Sequence, residues 1–158
     1  MATEVERKFL VTGDDWRDQV AHSVAIRQAY LSFTAAMAIR IRIVDDAMAF
    51  LTIKSAEPGI ARSEFEYPVP LEDARGLIEL RTGQVIEKRR HLVRFRGAQW
   101  EIDVFEGAHT GLVIAEIELA DENTAFEHPP WLGKEVTGEA RYYNVSLAGA
   151  HRITGKAG

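Results

Sequence analysis

Residues Thr3 to Val11 read T-E-V-E-R-K-F-L-V, and the reading of this stretch decides the fold. Glu4, Glu6 and Lys8 alternate with Val5, Arg7 and Phe9. Side chains two apart in a strand share a face. As a strand, the segment sets two carboxylates and an ammonium in one row, with Val5 and Phe9 turned the other way. On a single strand such alternation means a half-solvated sheet, polar side out.

The pattern recurs along the chain. Ala38–Val44 reads A-I-R-I-R-I-V, with Arg40 and Arg42 on one face and Ile39, Ile41 and Ile43 on the other. Lys54 stands opposite Leu51 and Ile53. Glu64 and Glu66 alternate with Phe65 and Tyr67, and Lys88 shares a parity with Arg90. Glu101 and Asp103 alternate with Ile102 and Val104, and Glu116 and Glu118 with Ala115, Ile117 and Leu119. The polar sides hold few Ser, Thr, Asn or Gln. They hold like charges two apart, which an open sheet disfavours. A binding face has a use for such blocks.

Eight strands are predicted: Glu4–Val11, Ser23–Phe33, Ala38–Val44, Met48–Ser55, Ala61–Val69, Gln84–Phe95, Gln99–Phe105 and Leu112–Leu119. Turn signals at Asp45-Asp46, Glu57-Pro58-Gly59, Arg96-Gly97 and Gly107 to Gly111 separate several of them and favour antiparallel hairpins. Helices are predicted over Asp14–Ala21, Leu71–Leu80, Asp121–Glu127 and Asn144–His151. The class is α+β, dominated by one antiparallel sheet. An eight-stranded antiparallel β-barrel points one parity inward. The charged parity then lines the interior, and helices or a partner chain cover the apolar parity outside.

On the charged parity stand Glu4, Glu6, Glu64, Glu66, Asp103, Glu116 and Glu118, against Lys8, Arg40, Arg42, Lys54, Lys88 and Arg90. Buried charges persist when paired, hydrated or bound to a ligand. Grouped carboxylates without cysteine suit a hard cation, Mg2+ or Mn2+. Grouped arginine and lysine suit phosphate oxygens. A triphosphate with its metal meets both conditions.

The totals agree. The chain has 158 residues, 46% hydrophobic and 27% charged, which fits one domain over 1–158. A net charge of −5 opposes nucleic acid and anionic membranes. Cysteine is absent, which excludes disulfides and thiolate metal sites. The acidic N-terminus is not a secretory signal, and no apolar run is long enough to span a membrane. A soluble cytoplasmic protein is expected. No P-loop motif is present. His22, His91, His109, His128 and His151 lack ligand spacing, and Trp16, Trp100 and Trp131 read as core residues.

In order along the chain, TEVERKFLV, IRQAYLS, RIR, LTIK, RSEFEYPV, EKRRH, WEIDVFEG, AEIEL and VTGEARYYNVSLA resemble successive blocks of the CYTH family, the triphosphate tunnel metalloenzymes. The first carries that family's ExExK signature. The resemblance implies an eight-stranded tunnel and metal-dependent chemistry on a triphosphate. By position it makes Glu4, Glu6, Glu116 and Glu118 metal ligands, with Asp103 as a helper. It makes Lys8, Arg40, Arg42, Lys54 and Arg90 phosphate contacts. Lys88 matches a basic residue near the scissile phosphate, aiding either water activation or the leaving group, and Tyr30 matches its partner. Glu64 and Glu66 either take a second metal or orient the bases. Arg141 stands either at the tunnel mouth or on plain surface. Where related sequences often carry an aromatic, this chain has His91, on the outward parity.

The small bacterial members described as inorganic triphosphatases resemble this chain most. The expected reaction is hydrolysis of tripolyphosphate to pyrophosphate and phosphate. The alternatives are an adenylyl cyclase, a nucleoside or thiamine triphosphatase, or a non-catalytic triphosphate or polyphosphate binder. The apolar outward parity also permits a homodimer.

Overall fold

The computed structural model describes residues 3–55 and 61–149, without the side chains of Thr3, Glu4 and Ala61. Among these residues nine strands form one sheet. They are β1 (Thr3–Val11), β2 (Val20–Phe33), β3 (Met37–Val44), β4 (Met48–Ser55), β5 (Ala61–Val69), β6 (Thr82–Phe95), β7 (Ala98–Phe105), β8 (Val113–Glu118) and β9 (Leu132–Glu135). Their order is β5-β4-β3-β2-β6-β7-β8-β1-β9, and every pairing is antiparallel. β1 pairs with β8 through Glu6–Leu10 and also with β5, where Thr3, Glu4 and Val5 face Ser63, Arg62 and Ala61.

Turn chemistry sets these registers. Arg96 and Gly97 both have positive φ, 46° and 82°, and join Phe95 to its partner Ala98. Two left-handed residues give a hairpin turn whose twist matches the strands. Asp45 and Asp46 are also left-handed, and the Asp45 carboxylate accepts from the Ala25 N–H at 2.7 Å, so its side chain locks the bend.

The apolar parity faces away from the charged one and is covered in two places. Helix α1 (Leu71–Ile78) begins after Pro70, and its Ala74 and Ile78 bury against Ala29, Ile41, Ile43 and Ala49 of β2, β3 and β4. Elsewhere Phe9, Val93, Trp100, Ile102, Ala115 and Ile117 pack with Trp16 and Trp131. The Trp100 ring meets Phe9, Phe126 and Trp131 edge-on, the favoured aromatic arrangement. On β5 the outer residues Phe65 and Tyr67 remain exposed.

Four expectations need correction. The helix over Asp14–Ala21 is a 3-10 turn, Asp15–Gln19; Trp16 is its buried anchor, and Val20 already pairs with Val93 in β2. No helix forms over Asp121–Glu127. There the Asp121 side chain accepts from the Asn123 N–H, and Thr124 Oγ1 accepts from the Asp121 N–H, which favours a turn. A ninth strand, β9, was not expected. Its sequence, Leu-Gly-Lys-Glu, is too short to show a period, and Gly133 is fixed by contact: a Cβ there would sit 2.9 Å from the Leu10 carbonyl oxygen. Finally, helices do not lie only outside. The short helix α2 (Asn144–Leu147) lines the interior cavity with Asn144, Val145 and Ser146. It ends at Leu147, short of the predicted His151, which lies outside the described residues.

Candidate active site

The charged parity surrounds a cavity of about 510 Å3. Glu6 and Lys8 reach it from β1, Tyr30 from β2, Arg40 and Arg42 from β3, and Lys54 from β4. Glu64 and Glu66 come from β5, Arg90 from β6, and Glu116 and Glu118 from β8. The alternation of each strand therefore places these side chains together. The Glu4 side chain lies outside the described residues.

The remaining expected residues lie differently. Lys88 is fully buried and sits behind the lining, where its Nζ donates to Asp103 Oδ2 at 2.7 Å and to Asn144 Oδ1 at 2.9 Å. It does not bond Tyr30, which lines the cavity. Asp103 is 1% exposed, and both its oxygens are engaged: Arg90 donates to Oδ1 at 2.8 Å and to Oδ2 at 2.9 Å. Arg141 is outside the cavity, exposed, and paired with Glu139 at 3.7 Å.

Several lining residues were not singled out from the sequence. Arg62 and Glu101 share the inward parity of Glu64 and Asp103, so the signal was present. Thr52 is neutral, yet it accepts from Arg40 at 3.1 Å and donates to Glu66 at 2.9 Å. Tyr143 places its ring 5.0 Å from Lys8 Nζ and 5.1 Å from the Arg62 guanidinium, and no strand periodicity points to it.

The charges group by sign. Across the β1–β8 ladder Glu6 faces Glu118 and Lys8 faces Glu116; across β7–β8 Glu101 faces Glu116. Burial, then the neighbouring carboxylates of Glu101 and Glu6, push the Glu118 carboxyl up. Burial is also the main cause that raises Glu101. On the basic side, burial and then Arg40 and Arg90 push the Arg42 guanidinium down to about 9. The buried Arg40 Nε has no hydrogen-bond partner. Each group thus crowds like charge, although ion pairs join the two: Arg90 meets Glu101 at 3.0 Å, Arg62 meets Glu6 at 4.0 Å and Arg40 meets Glu66 at 3.7 Å.

Other pairs are balanced. Burial opposes ionisation of Asp103, but Arg90 and Lys88 outweigh it and hold that carboxyl at about 2. Burial likewise opposes ionisation of Glu116, and Lys8, Arg90, Lys88 and Lys54 keep it well below the usual carboxylate range. Lys8 bonds Glu116 at 3.2 Å. Burial lowers Lys88 to about 7: Asp103 opposes the shift, while Arg90 and Arg42 add to it.

Among the described residues no three acidic or histidine side chains already converge as a metal cage. The donor set nonetheless fits a hard divalent ion. Glu6 and Glu101 are oxygen donors that crowd Glu118, and a cation would relieve that crowding. An Mg2+-like ion is commonly held by one or two carboxylates, completing its shell with water and phosphate oxygens.

A strand-built cavity carrying opposed acidic and basic groups defines a class that family comparison makes explicit: residues 2–148 match the CYTH domain, and the chain belongs to that family. Enzymes of this family generally depend on a divalent metal. The chain is 45% identical over 148 residues to an inorganic triphosphatase of Acetivibrio thermocellus, covering 93% of this chain and 94% of that one. It is 37% identical over 150 residues to an inorganic triphosphatase of Nitrosomonas europaea, covering 92% and 97%. A solved structure described as an inorganic triphosphatase superposes with a TM-score of 0.69 at 34% identity, covering 97% of this chain and 99% of that one.

Proposed function

We propose that this protein is an inorganic triphosphatase that cleaves tripolyphosphate to pyrophosphate and phosphate with Mg2+ or Mn2+. The observation that carries the reading is the pair of opposed charge groups in one cavity, each crowding like charge. Burial, and after it Arg40 and Arg90, depress Arg42, where an anion would relieve the crowding; burial, and after it Glu101 and Glu6, raise Glu118, where a cation would do the same. The named relatives support the substrate.

We take the sheet as a closed eight-stranded tunnel, with β9 added outside. β5 and β1 stand at or near opposite ends of the strand order, and their pairing supports closure. Lys8, Arg40, Arg42, Lys54, Arg62 and Arg90 bind the phosphates. Glu4, Glu6, Glu116 and Glu118 would hold the metal, with Glu101 beside them. A divalent ion held by these residues would supply positive charge for the phosphate oxygens and lower the pKa of water. Asp103 orients Lys88 and Arg90, since both its oxygens are already engaged. Glu66 orients Arg40, directly at 3.7 Å and through Thr52. Glu64 serves the same wall of β5.

In the reaction, a water oxygen bonds to the terminal phosphorus as the bond to the bridging oxygen breaks. The electron pair stays on pyrophosphate, and the water proton leaves. Lys88, balanced near neutrality, takes that proton or steadies the leaving oxygen, and Tyr30 orders the water beside the basic wall. Phosphate release from tripolyphosphate, ATP and thiamine triphosphate, compared with Mg2+ and with Mn2+, tests the reading. Fast release from tripolyphosphate, slow release from the others and loss in Glu116→Gln are expected. No release from any of the three would overturn it.

A further inference from the structure

Asn144 reaches the cavity from outside the charged strands. Asn144 opens the short helix α2, and its amide oxygen accepts two hydrogen bonds, from Lys88 Nζ at 2.9 Å and from Gln28 Nε2 at 3.0 Å. Gln28 is fully buried and accepts through Oε1 from Arg42 Nε at 2.7 Å. The chain runs Arg42, Gln28, Asn144, Lys88, Asp103, Arg90. Each donor–acceptor assignment fixes the next: an arginine only donates, so Gln28 must turn its oxygen to Arg42 and its nitrogen to Asn144. The amide of Asn144 must then present oxygen to Lys88.

We propose that Asn144 is a positioning residue for Lys88, and that Gln28 sets the orientation of Asn144 from the phosphate-binding arginine Arg42. The lysine stem is flexible, and Asp103 alone leaves its nitrogen free to swing about one contact. A second acceptor on another element makes the position unique. Asp103 and Asn144 occupy two of the nitrogen's tetrahedral directions, so the remaining one is fixed. Arg42 on the cavity wall and Lys88 behind it are thereby tied through two neutral amides. Neutral amides hold the lysine without adding negative charge to a site for an anion. This inference rests on the proposed role of Lys88 in tripolyphosphate cleavage.

The test uses Asn144→Leu, which keeps the branched shape and removes the acceptor, and Asn144→Asp, which keeps the acceptor oxygen. Two readouts are taken. The first is the rate of Lys88 modification by acetic anhydride, followed by mass spectrometry of the peptide, with Lys8 as internal reference. Asn144→Leu should raise Lys88 modification severalfold relative to Lys8 in folded protein, and Asn144→Asp should not. The second is turnover of tripolyphosphate. Misplacing a reacting group costs up to about 100-fold, so Asn144→Leu should lower kcat by about 10- to 100-fold with KM nearly unchanged. Asn144→Asp keeps the acceptor but adds a charge, so it should lower kcat by less than Asn144→Leu does. Gln28→Leu should reproduce the Asn144→Leu effect, and combining the two should add little. Unchanged Lys88 modification in folded Asn144→Leu would overturn the inference, as would equal kcat loss in the leucine and aspartate variants. If the parent cleaves no tripolyphosphate while the modification pattern holds, the positioning stands and the substrate reading falls.

Discussion

Trp100 and Lys88 are both fully buried, and they lie on neighbouring strands of one sheet. Around Trp100 the neighbours are Phe9, Phe126 and Trp131. Around Lys88 they are Asp103, Asn144 and, beyond them, Arg90. The outer region gains stability from apolar area and shape. The inner region buries Lys8, Arg40, Lys88, Asp103 and Glu116 and leaves some of its charges crowding one another. The charged face is not wholly polar, since Ile86, Phe105 and Ile114 share its parity and pack with Val145 and Ala148, but the cavity and the buried ion pairs of Lys8 and Lys88 lie there. Crowded, partly buried charge costs stability, and a ligand of opposite charge would offset that cost.

The comparison can be broken most severely from the outside. Trp100→Ala should cost about 3–5 kcal/mol of stability, read as a large fall in denaturant midpoint, and activity should be lost only through unfolding. The opposite behaviour is expected inside. Arg42→Met should lower kcat/KM for tripolyphosphate by about 100-fold or more. Its Tm should change little, because removing a cation crowded by Arg40 and Arg90 offsets the lost bond to Gln28. A Tm collapse in Arg42→Met would merge the two regions.

Smaller effects sharpen the distinction through pH. Folded Lys88 releases its proton near 7, while the unfolded side chain does so near 10.5. Between these values the unfolded chain holds more protons, so stability rises with pH. Metal-free protein should show this rise in Tm above pH 7, and Lys88→Met should lose it. Glu118 behaves in the reverse sense. Its folded carboxyl is raised, so the folded chain holds more protons and stability falls as pH climbs through the carboxylate range. Glu118→Gln should remove part of that fall, raise the metal-free Tm by about a degree or two, and weaken stabilisation by Mg2+ or Mn2+.

Much of the interior was legible because β-structure has a period of two and the charges follow it. Arg40 with Arg42, and Glu116 with Glu118, announce their face without any tertiary knowledge. Eight of the nine strands were legible for the same reason. What the period cannot carry was missed. Gln28 and Thr52 share the inward parity but are neutral. Asn144 and Tyr143 reach the cavity from a segment outside the strands. β9 depends on one edge of β1 and on the absence of a side chain at Gly133. The helix expected over Asp14–Ala21 yielded because the pairing of Val20 with Val93 outweighs local propensity.

The central claim is that one cavity holds a cation group and an anion group in want of each other's ligands. It is tested most directly by thermal stabilisation with Mg2+ alone, with a non-hydrolysable imido analogue of tripolyphosphate alone, and with both. The account predicts that each ligand alone stabilises modestly and that together they stabilise by more than the sum, with the excess lost in Glu118→Gln. Strictly additive shifts, or an excess that survives in Glu118→Gln, would contradict it.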